Sequence, residues 1–254
     1  MELYKQLAAL GCFTKQDLVR LAGSESSAEW HIRRYLQKGY IERIRRDLYA
    51  AISLETEQPI PSRFRIASKA ADDACLICHS AFEYYGYANQ VFYDIYFASS
   101  KRSRPFEYNG IHYCHIANPE SLPGLEMSGG VRVTSLEQTA VDSIVYMEKI
   151  GGIEELIRCL VLIPSLNGDN LLKALAAYGK ATLYQKAGYI LSSLQDELSL
   201  DPSFFAECEK HISASKTYLF PRQDGFVFHR RWKLYAPDDL RAFTDKGISE
   251  HASI

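Results

Sequence analysis

Apolar residues near the start of the chain recur at helical spacing, with Leu3, Leu7 and Leu10 on one side and Gly11 ending the run. Thr14 followed by Asp17 is a capping box that opens a second helix, whose buried side is Leu18 and Leu21. Gly23 and Ser24 make a turn. Ser26 with Glu29 predicts a second capping box, starting a helix that runs to Lys38 and stops at Gly39. At about 100° per residue, Ala28, Ile32, Tyr35 and Leu36 share one side of this third helix, and Ser27, Trp30, Arg33, Arg34 and Gln37 share the other. A hairpin follows, with strands Tyr40 to Ile44 and Leu48 to Ile52 joined by Arg45, Arg46 and Asp47. Period-2 alternation puts Arg43 and Arg45 on one face and Arg46 at the tip. Three helices and a hairpin in this order predict a winged helix-turn-helix over residues 1–54.

The pattern then changes. Pro59 and Pro61 forbid a continuous helix and make 55–61 an extended linker. Residues 62–254 form the second predicted domain. Ser62 caps a helix reaching Ala74, and His79 to Tyr85 is a short helix ended by Gly86. Val91 to Ala98 is β-rich. Phe106 to Tyr108 and Ile111 to Ile116 flank Asn109-Gly110, the signature of a type I′ hairpin. Val131 to Val133 is a strand leading into a helix from Leu136 to Lys149, capped by Thr134 or Ser135. Helices are predicted at 153–162, 169–178, 182–194 and 203–212, then a strand pair around Phe226 to Phe228 and Trp232 to Leu234. The expected fold class is α+β: an N-terminal winged helix, then a larger mixed domain with a hairpin-containing sheet and several helices.

Charge sharpens this picture locally. Residues 1–50 hold nine lysines and arginines against six acids, net plus 3, while the whole chain is minus 2, leaving minus 5 beyond residue 50. A basic footprint confined to one end fits a nucleic-acid reader. Arginine can bind guanine bidentately, glutamine can do so with adenine, and a serine at a helix start suits a phosphate. The candidate DNA-binding set is Thr14, Lys15, Ser27, Trp30, Arg33, Arg34, Gln37, Arg43, Arg45 and Arg46. Trp30 lies opposite the apolar stripe, packed under the wing or set against the DNA backbone.

Other chemistry is sparse. The chain has no phosphate loop, nucleophile elbow, His-Glu-x-x-His or glycine-rich dinucleotide turn. Cys75-Leu76-Ile77-Cys78-His79 matches the attachment pattern of c-type haem, and Cys114-His115 offers a second half for a zinc site. Zinc ligand pairs usually have two to five residues between members, so the segment is read as apolar core, and neither metal nor cofactor is expected. Asp94, Glu107, Glu137 and Asp142 are the carboxylates from which a metal-dependent nuclease could be assembled. No apolar run approaches the ~18 residues of a membrane span, and the first residues do not resemble a signal peptide. A cytoplasmic protein with reduced cysteines is expected.

The run from Gly11-Cys12-Phe13-Thr14 through Ile32-Arg33-Arg34-Tyr35-Leu36-Gln37-Lys38-Gly39-Tyr40-Ile41 to Leu48-Tyr49-Ala50 resembles the AbiEi antitoxins of type IV bacterial toxin–antitoxin and phage-defence systems. His79 to Tyr87, Val133 to Asp142, Gly151 to Leu156 and Leu183 to Leu194 resemble later segments of that family in the same order. The resemblance thus covers most of the chain. Where the family usually has glycine in the wing turn, this chain has Asp47. The resemblance implies a winged helix that represses its own operon at inverted repeats in double-stranded operator DNA. It also implies a second domain that opposes a nucleotidyltransferase toxin without needing a stable complex. The competing readings are a DNA-targeted nuclease and a repressor whose second domain senses a small ligand.

Overall fold

The computed structural model describes residues 2–117, 124–221 and 225–243. The chain divides into two compact units, one of Met1–Leu76, Phe92–Asn118 and Met127–Val133, the other of Ile77–Val91, Pro119–Glu126 and Thr134–Ile254. The fold is mixed α+β.

The first unit begins with α1 (Glu2–Leu10), β1 (Cys12–Thr14), α2 (Lys15–Ala22), α3 (Glu25–Gln37), β2 (Ile41–Arg45) and β3 (Leu48–Ala51). The three strands form a sheet in the order β1-β3-β2, all antiparallel, which is the arrangement of a winged helix. Leu7, Phe13, Leu18, Ala28, Ile32, Tyr35 and Tyr49 are buried together at its centre. Strand β1 is a structural addition to the expected pattern. Three residues are too few to show a period, and they become a strand because Phe13 pairs with Tyr49 across the sheet.

Local signals acted as expected at α2, where Thr14 and Asp17 complete a reciprocal capping box. At α3 the cap differs. Ser24 holds the N-cap position and accepts from the Ser27 backbone N–H, so Ser26 and Glu29 are not a capping box but exposed positions inside the helix. Ser24 wins because Gly23, left-handed at the end of α2, turns the chain one residue after that helix stops. The wing also departs from strict alternation. Register shifts between Arg43 and Arg45, a β-bulge at Ile44. Residues 55–61 do not simply extend away: Ile60 N–H donates to Ala51 O at 2.9 Å and Ser53 N–H to Gln58 O at 2.9 Å, which folds the segment back along β3.

The rest of the first unit is α4 (Arg63–Ser68), β4 (Cys75–Leu76), β5 (Asp94–Ser99), β6 (Phe106–Tyr108), β7 (Ile111–Ala117) and β9 (Val131–Thr134). With β8 (Leu125–Ser128) they make a six-stranded sheet, β6-β7-β5-β4-β9-β8. Helix α4 is six residues long, shorter than the run to Ala74 that the sequence suggests. The β6–β7 turn is as expected: Asn109 and Gly110 both have positive φ, 50° and 71°. Strands β5 and β7 pair in parallel over six residues, from Asp94 opposite His112 to Ser99 opposite Ala117.

The second unit packs α5 (His79–Tyr85), α6 (Leu136–Val145), α7 (Ile153–Val161), α8 (Gly168–Tyr178), α9 (Ala181–Ser192) and α10 (Pro202–His211) around an apolar core. Ser135 caps α6 by accepting from the Gln138 N–H. A small sheet, β10 (Thr217–Tyr218), β12 (Leu234–Ala236) and β11 (Val227–His229), adds one strand to the expected pair. Buried Gln185 on α9 donates to the carbonyls of Ser215, Trp232 and Lys233 and so ties helix to sheet. At Gly188 a Cβ would lie 2.2 Å from the Trp232 ring, so only glycine admits the indole there.

Candidate nucleic-acid interface

Helix α3 is held by its aromatic side. The Tyr4, Tyr35 and Tyr40 rings have centroids 5.4 to 6.3 Å apart, and the Tyr4 hydroxyl donates to the Ile52 carbonyl, joining α1, α3 and the wing base. Ala28, Ile32 and Tyr35 are buried, and the opposite face presents Glu29, Trp30, Arg33, Arg34 and Gln37 to solvent. Trp30 is not under the wing: it is 50% exposed, with the Arg34 guanidinium 4.9 Å from its ring centroid and His31 packed edge-on beside it. Stacking on indole restricts a planar guanidinium without consuming its hydrogen bonds, leaving Arg34 ordered and available. Arg33 makes a single long contact to the Glu29 carbonyl, 3.5 Å.

The start of α3 is electrically different. Lys15 Nζ reaches Glu29 at 2.8 Å and Glu25 at 3.2 Å, and these contacts raise the lysine pKa while lowering that of Glu29. Two carboxylates on one ammonium leave this end without net positive charge. Thr14 spends its hydroxyl on the α2 cap, and Ser27 is half-buried with its N–H on Ser24. Among the sequence candidates, Arg33, Arg34 and Gln37 are therefore brought together as an exposed row, while Thr14, Lys15 and Ser27 are engaged in local structure.

The wing splits its three arginines. Arg46 is exposed at the tip and pairs with Asp47 at 3.5 Å, and Asp47 occupies the left-handed region with φ 59°. Arg43 is exposed and lies over the Tyr49 ring, 5.6 Å away. Arg45 turns to the six-stranded sheet instead. Its guanidinium stacks 4.9 Å over Phe106 and donates to Ser103 Oγ at 3.0 Å, and burial lowers its pKa. Glu42 accepts from the Tyr108 hydroxyl at 2.8 Å. The bulge causes this outcome. With one extra residue between Arg43 and Arg45, the two arginines do not share a face, contrary to the alternation expected from sequence.

A further group of cations in the first unit lies outside the winged helix. Lys101, Arg102 and Arg104, in the turn between β5 and β6, are exposed, and no ion pair engages them among the described residues. They line one broad groove of the first unit with Lys15 and Arg20 of α2, Arg45 and Arg46 of the wing, Arg65 of α4, Lys69 just after it, and Arg132 of β9. Ten basic side chains line this groove against five acidic ones, Asp17, Glu25, Asp47, Asp72 and Asp73. Low-dielectric walls carrying one predominant sign focus field into such a cleft. The run Lys101-Arg102-Ser103-Arg104 was visible in the sequence, but the acidic balance beyond residue 50 obscured it.

The candidate nuclease carboxylates do not form a set. Asp94 and Glu107 each approach a different ring nitrogen of His112, at 3.1 and 3.6 Å. Glu137 accepts from the Asn167 N–H at the start of α8. Asp142 is 1% exposed and accepts from the Tyr178 hydroxyl at 2.6 Å and from Gln138 Nε2 at 2.7 Å. Burial pushes its pKa up to about 7, against the lowering effect of those two hydrogen bonds. Cys75 and Cys78 are buried thiols outside any disulfide, and Cys114 is half-buried in β7, so the two cysteines of the Cys-x-x-Cys-His segment are packed core in this fold.

The helix order, the sheet order and an arginine-bearing third helix define the N-terminal segment as a winged helix-turn-helix. Residues 2–52 match the family model described as "Transcriptional regulator, AbiEi antitoxin". The fold is similar to that in the crystal structure of the RV2827C protein from Mycobacterium tuberculosis, with a TM-score of 0.63 and 17% identity over 97% of this chain and 93% of that one. No curated protein sequence matches the chain. No helix among the described residues is long and apolar enough to cross a membrane.

Proposed function

We propose that this protein is a DNA-binding antitoxin and autorepressor of a type IV toxin–antitoxin operon, acting in the cytoplasm. In this reading residues 1–54 carry the sequence-reading surface. The residues from 62 onward supply the flanking groove and the activity that counteracts a nucleotidyltransferase toxin encoded nearby. The observation that carries the reading is the coincidence of the matched segment, 2–52, with a winged helix whose third helix exposes Arg33, Arg34 and Gln37. These three side chains face base edges in the major groove, while Arg43, Arg46 and the Lys101 to Arg104 group meet phosphates.

DNA from upstream of the protein's own gene tests the first half. Wild-type protein is expected to retain that duplex in a gel-shift assay at salt concentrations where a scrambled duplex of equal length is released. The Arg33→Ala/Arg34→Ala variant is expected to bind both duplexes alike. Equal retention of the two duplexes by the wild type would remove sequence recognition from the proposal. Growth of cells carrying the neighbouring toxin gene, with and without this protein, tests the second half separately. Protection retained by the Arg33→Ala/Arg34→Ala variant is the expected result.

A further inference from the structure

The second unit contains a cluster of side chains that DNA binding does not use. His79 opens α5, and Glu155 and Cys159 lie one turn apart on α7. The exposures of the three residues are 0%, 3% and 0%. His79 Nε2 lies 3.3 Å from Glu155 Oε1, Cys159 Sγ lies 3.5 Å from the same oxygen, and the three donor atoms all fall within 4.8 Å of one another. Bonds of about 2.0 to 2.3 Å around a tetrahedral zinc ion space its ligand atoms by about 3.3 to 3.7 Å. We propose that His79, Glu155 and Cys159 form a buried site for one divalent transition-metal ion of the zinc class.

A buried His–Glu ion pair explains the short contact at Oε1 but leaves Glu155 Oε2, also buried, without a hydrogen-bond partner among the described residues. A carboxylate oxygen left dry is costly. Two-oxygen coordination uses it: the carboxylate fills one corner of the site through both oxygens, beside the His79 nitrogen and the Cys159 sulfur. The surrounding backbone supplies a donor to each of two ligands: Gln90 N–H donates to Glu155 Oε1 at 3.3 Å, and Asn89 N–H donates to the Cys159 sulfur. Such second-layer hydrogen bonds orient ligands at metal sites. The charges close as well. The ion's two positive charges meet the Glu155 carboxylate and the Cys159 thiolate, the imidazole binds neutral, and the thiol proton passes to solvent as the Cys159 sulfur–metal bond forms. Glutamate and cysteine four residues apart put both ligands on one face of α7, and the ion pins that face to the first turn of α5.

The full chain, produced without a polyhistidine tag, provides the test. Zinc-supplemented cells are expected to yield about one zinc ion per chain by mass spectrometry. Cells given cobalt(II) instead are expected to yield protein with a near-ultraviolet sulfur-to-cobalt charge-transfer band. Cys159→Ser is expected to lose that band and Cys208→Ser to keep it, since Cys208 is a buried thiol on α10 outside the cluster. Should Cys159→Ser fail to fold, the wild type still decides: stripping its metal with a strong chelator is expected to lower the melting temperature by several degrees. Folded wild-type protein that carries neither metal from either medium overturns the site and leaves a plain ion pair. A cobalt band that survives Cys159→Ser, or a melting temperature indifferent to chelation, overturns it equally.

Discussion

In the first unit most charge lies at the surface, whereas in the second two carboxylates are enclosed. Lys101, Arg102, Arg104, Arg33 and Arg34 are all exposed, and where cations are held, as with Lys15, the partners are also at the surface. In the second unit Asp142 and Glu155 are almost wholly buried, each with one oxygen that has no hydrogen-bond partner among the described residues. Exposed cations cost little stability and give long-range attraction that salt can screen; buried carboxylates give no steering, and their protonation is coupled to folding itself. The first unit should therefore report salt, and the second should report pH.

The largest expected effect lies at Asp142. Its carboxyl holds a proton in the folded state up to about pH 7, whereas the unfolded chain releases it near the ordinary value of 3.8. The folded state thus binds more protons between these values, and this group's contribution to stability falls as pH rises from about 4 to 7, by on the order of 4 kcal/mol. Asp142→Asn keeps an oxygen for Tyr178 and Gln138 but does not titrate. Its stability relative to wild type, from urea denaturation, is expected to grow across that window. A constant difference from pH 4 to 7 would break the contrast between the units.

Next come the groove cations. If Lys101, Arg102 and Arg104 each neutralise one phosphate, replacing all three with alanine removes about 2 to 3 units from the magnitude of the log K against log salt slope. The wild-type advantage then changes by about 40-fold between 50 and 200 mM salt, equally on operator and random DNA. Alanine at Arg33 or Arg34 is smaller and more selective, with a loss of about 1 to 3 kcal/mol on the operator and little on random duplex. The smallest DNA effect belongs to Arg45. Because its guanidinium is committed to Phe106 and Ser103, Arg45→Ala is expected to leave the salt slope unchanged and to lower unfolding stability by about 1 kcal/mol. A fall of one unit in the slope would return Arg45 to the interface.

Features with a local cause were legible in the sequence. The Thr14–Asp17 box, the Asn109-Gly110 turn and the Ser135 cap each depend on residues within a few positions. Strands β1, β8 and β10 were not legible, since two to four residues carry no readable period and become strands only through their partners. The same limit applies to the candidate interface. Helical periodicity alone placed Arg33, Arg34 and Gln37 on the outer face of α3. The position of Arg45 depends on a serine 58 residues away and on a bulge that shifts the frame of its strand. Buried carboxylates were similarly hidden: Asp142 reads as an ordinary helix acid until Tyr178, 36 residues later, is known to cover it.

The bulge at Ile44 bears on how the wing tolerates change in length. A strand with strict alternation records facing by parity, so the insertion or loss of one residue inverts every side chain beyond it. Here the inversion is already built in, and it falls between the two arginines. Deleting Ile44 would make Arg43 and Arg45 consecutive residues of β2, which alternation keeps on opposite faces, so Arg45 would hold its seat on Phe106 while Arg43 stays outward. The bulge therefore adds a buried isoleucine to the strand while leaving the anchored arginine on its side. Relatives one residue shorter at this position are expected to keep an aromatic ring where Phe106 stands, with the arginine still seated on it, and to lose only the extra twist that the bulge gives β2.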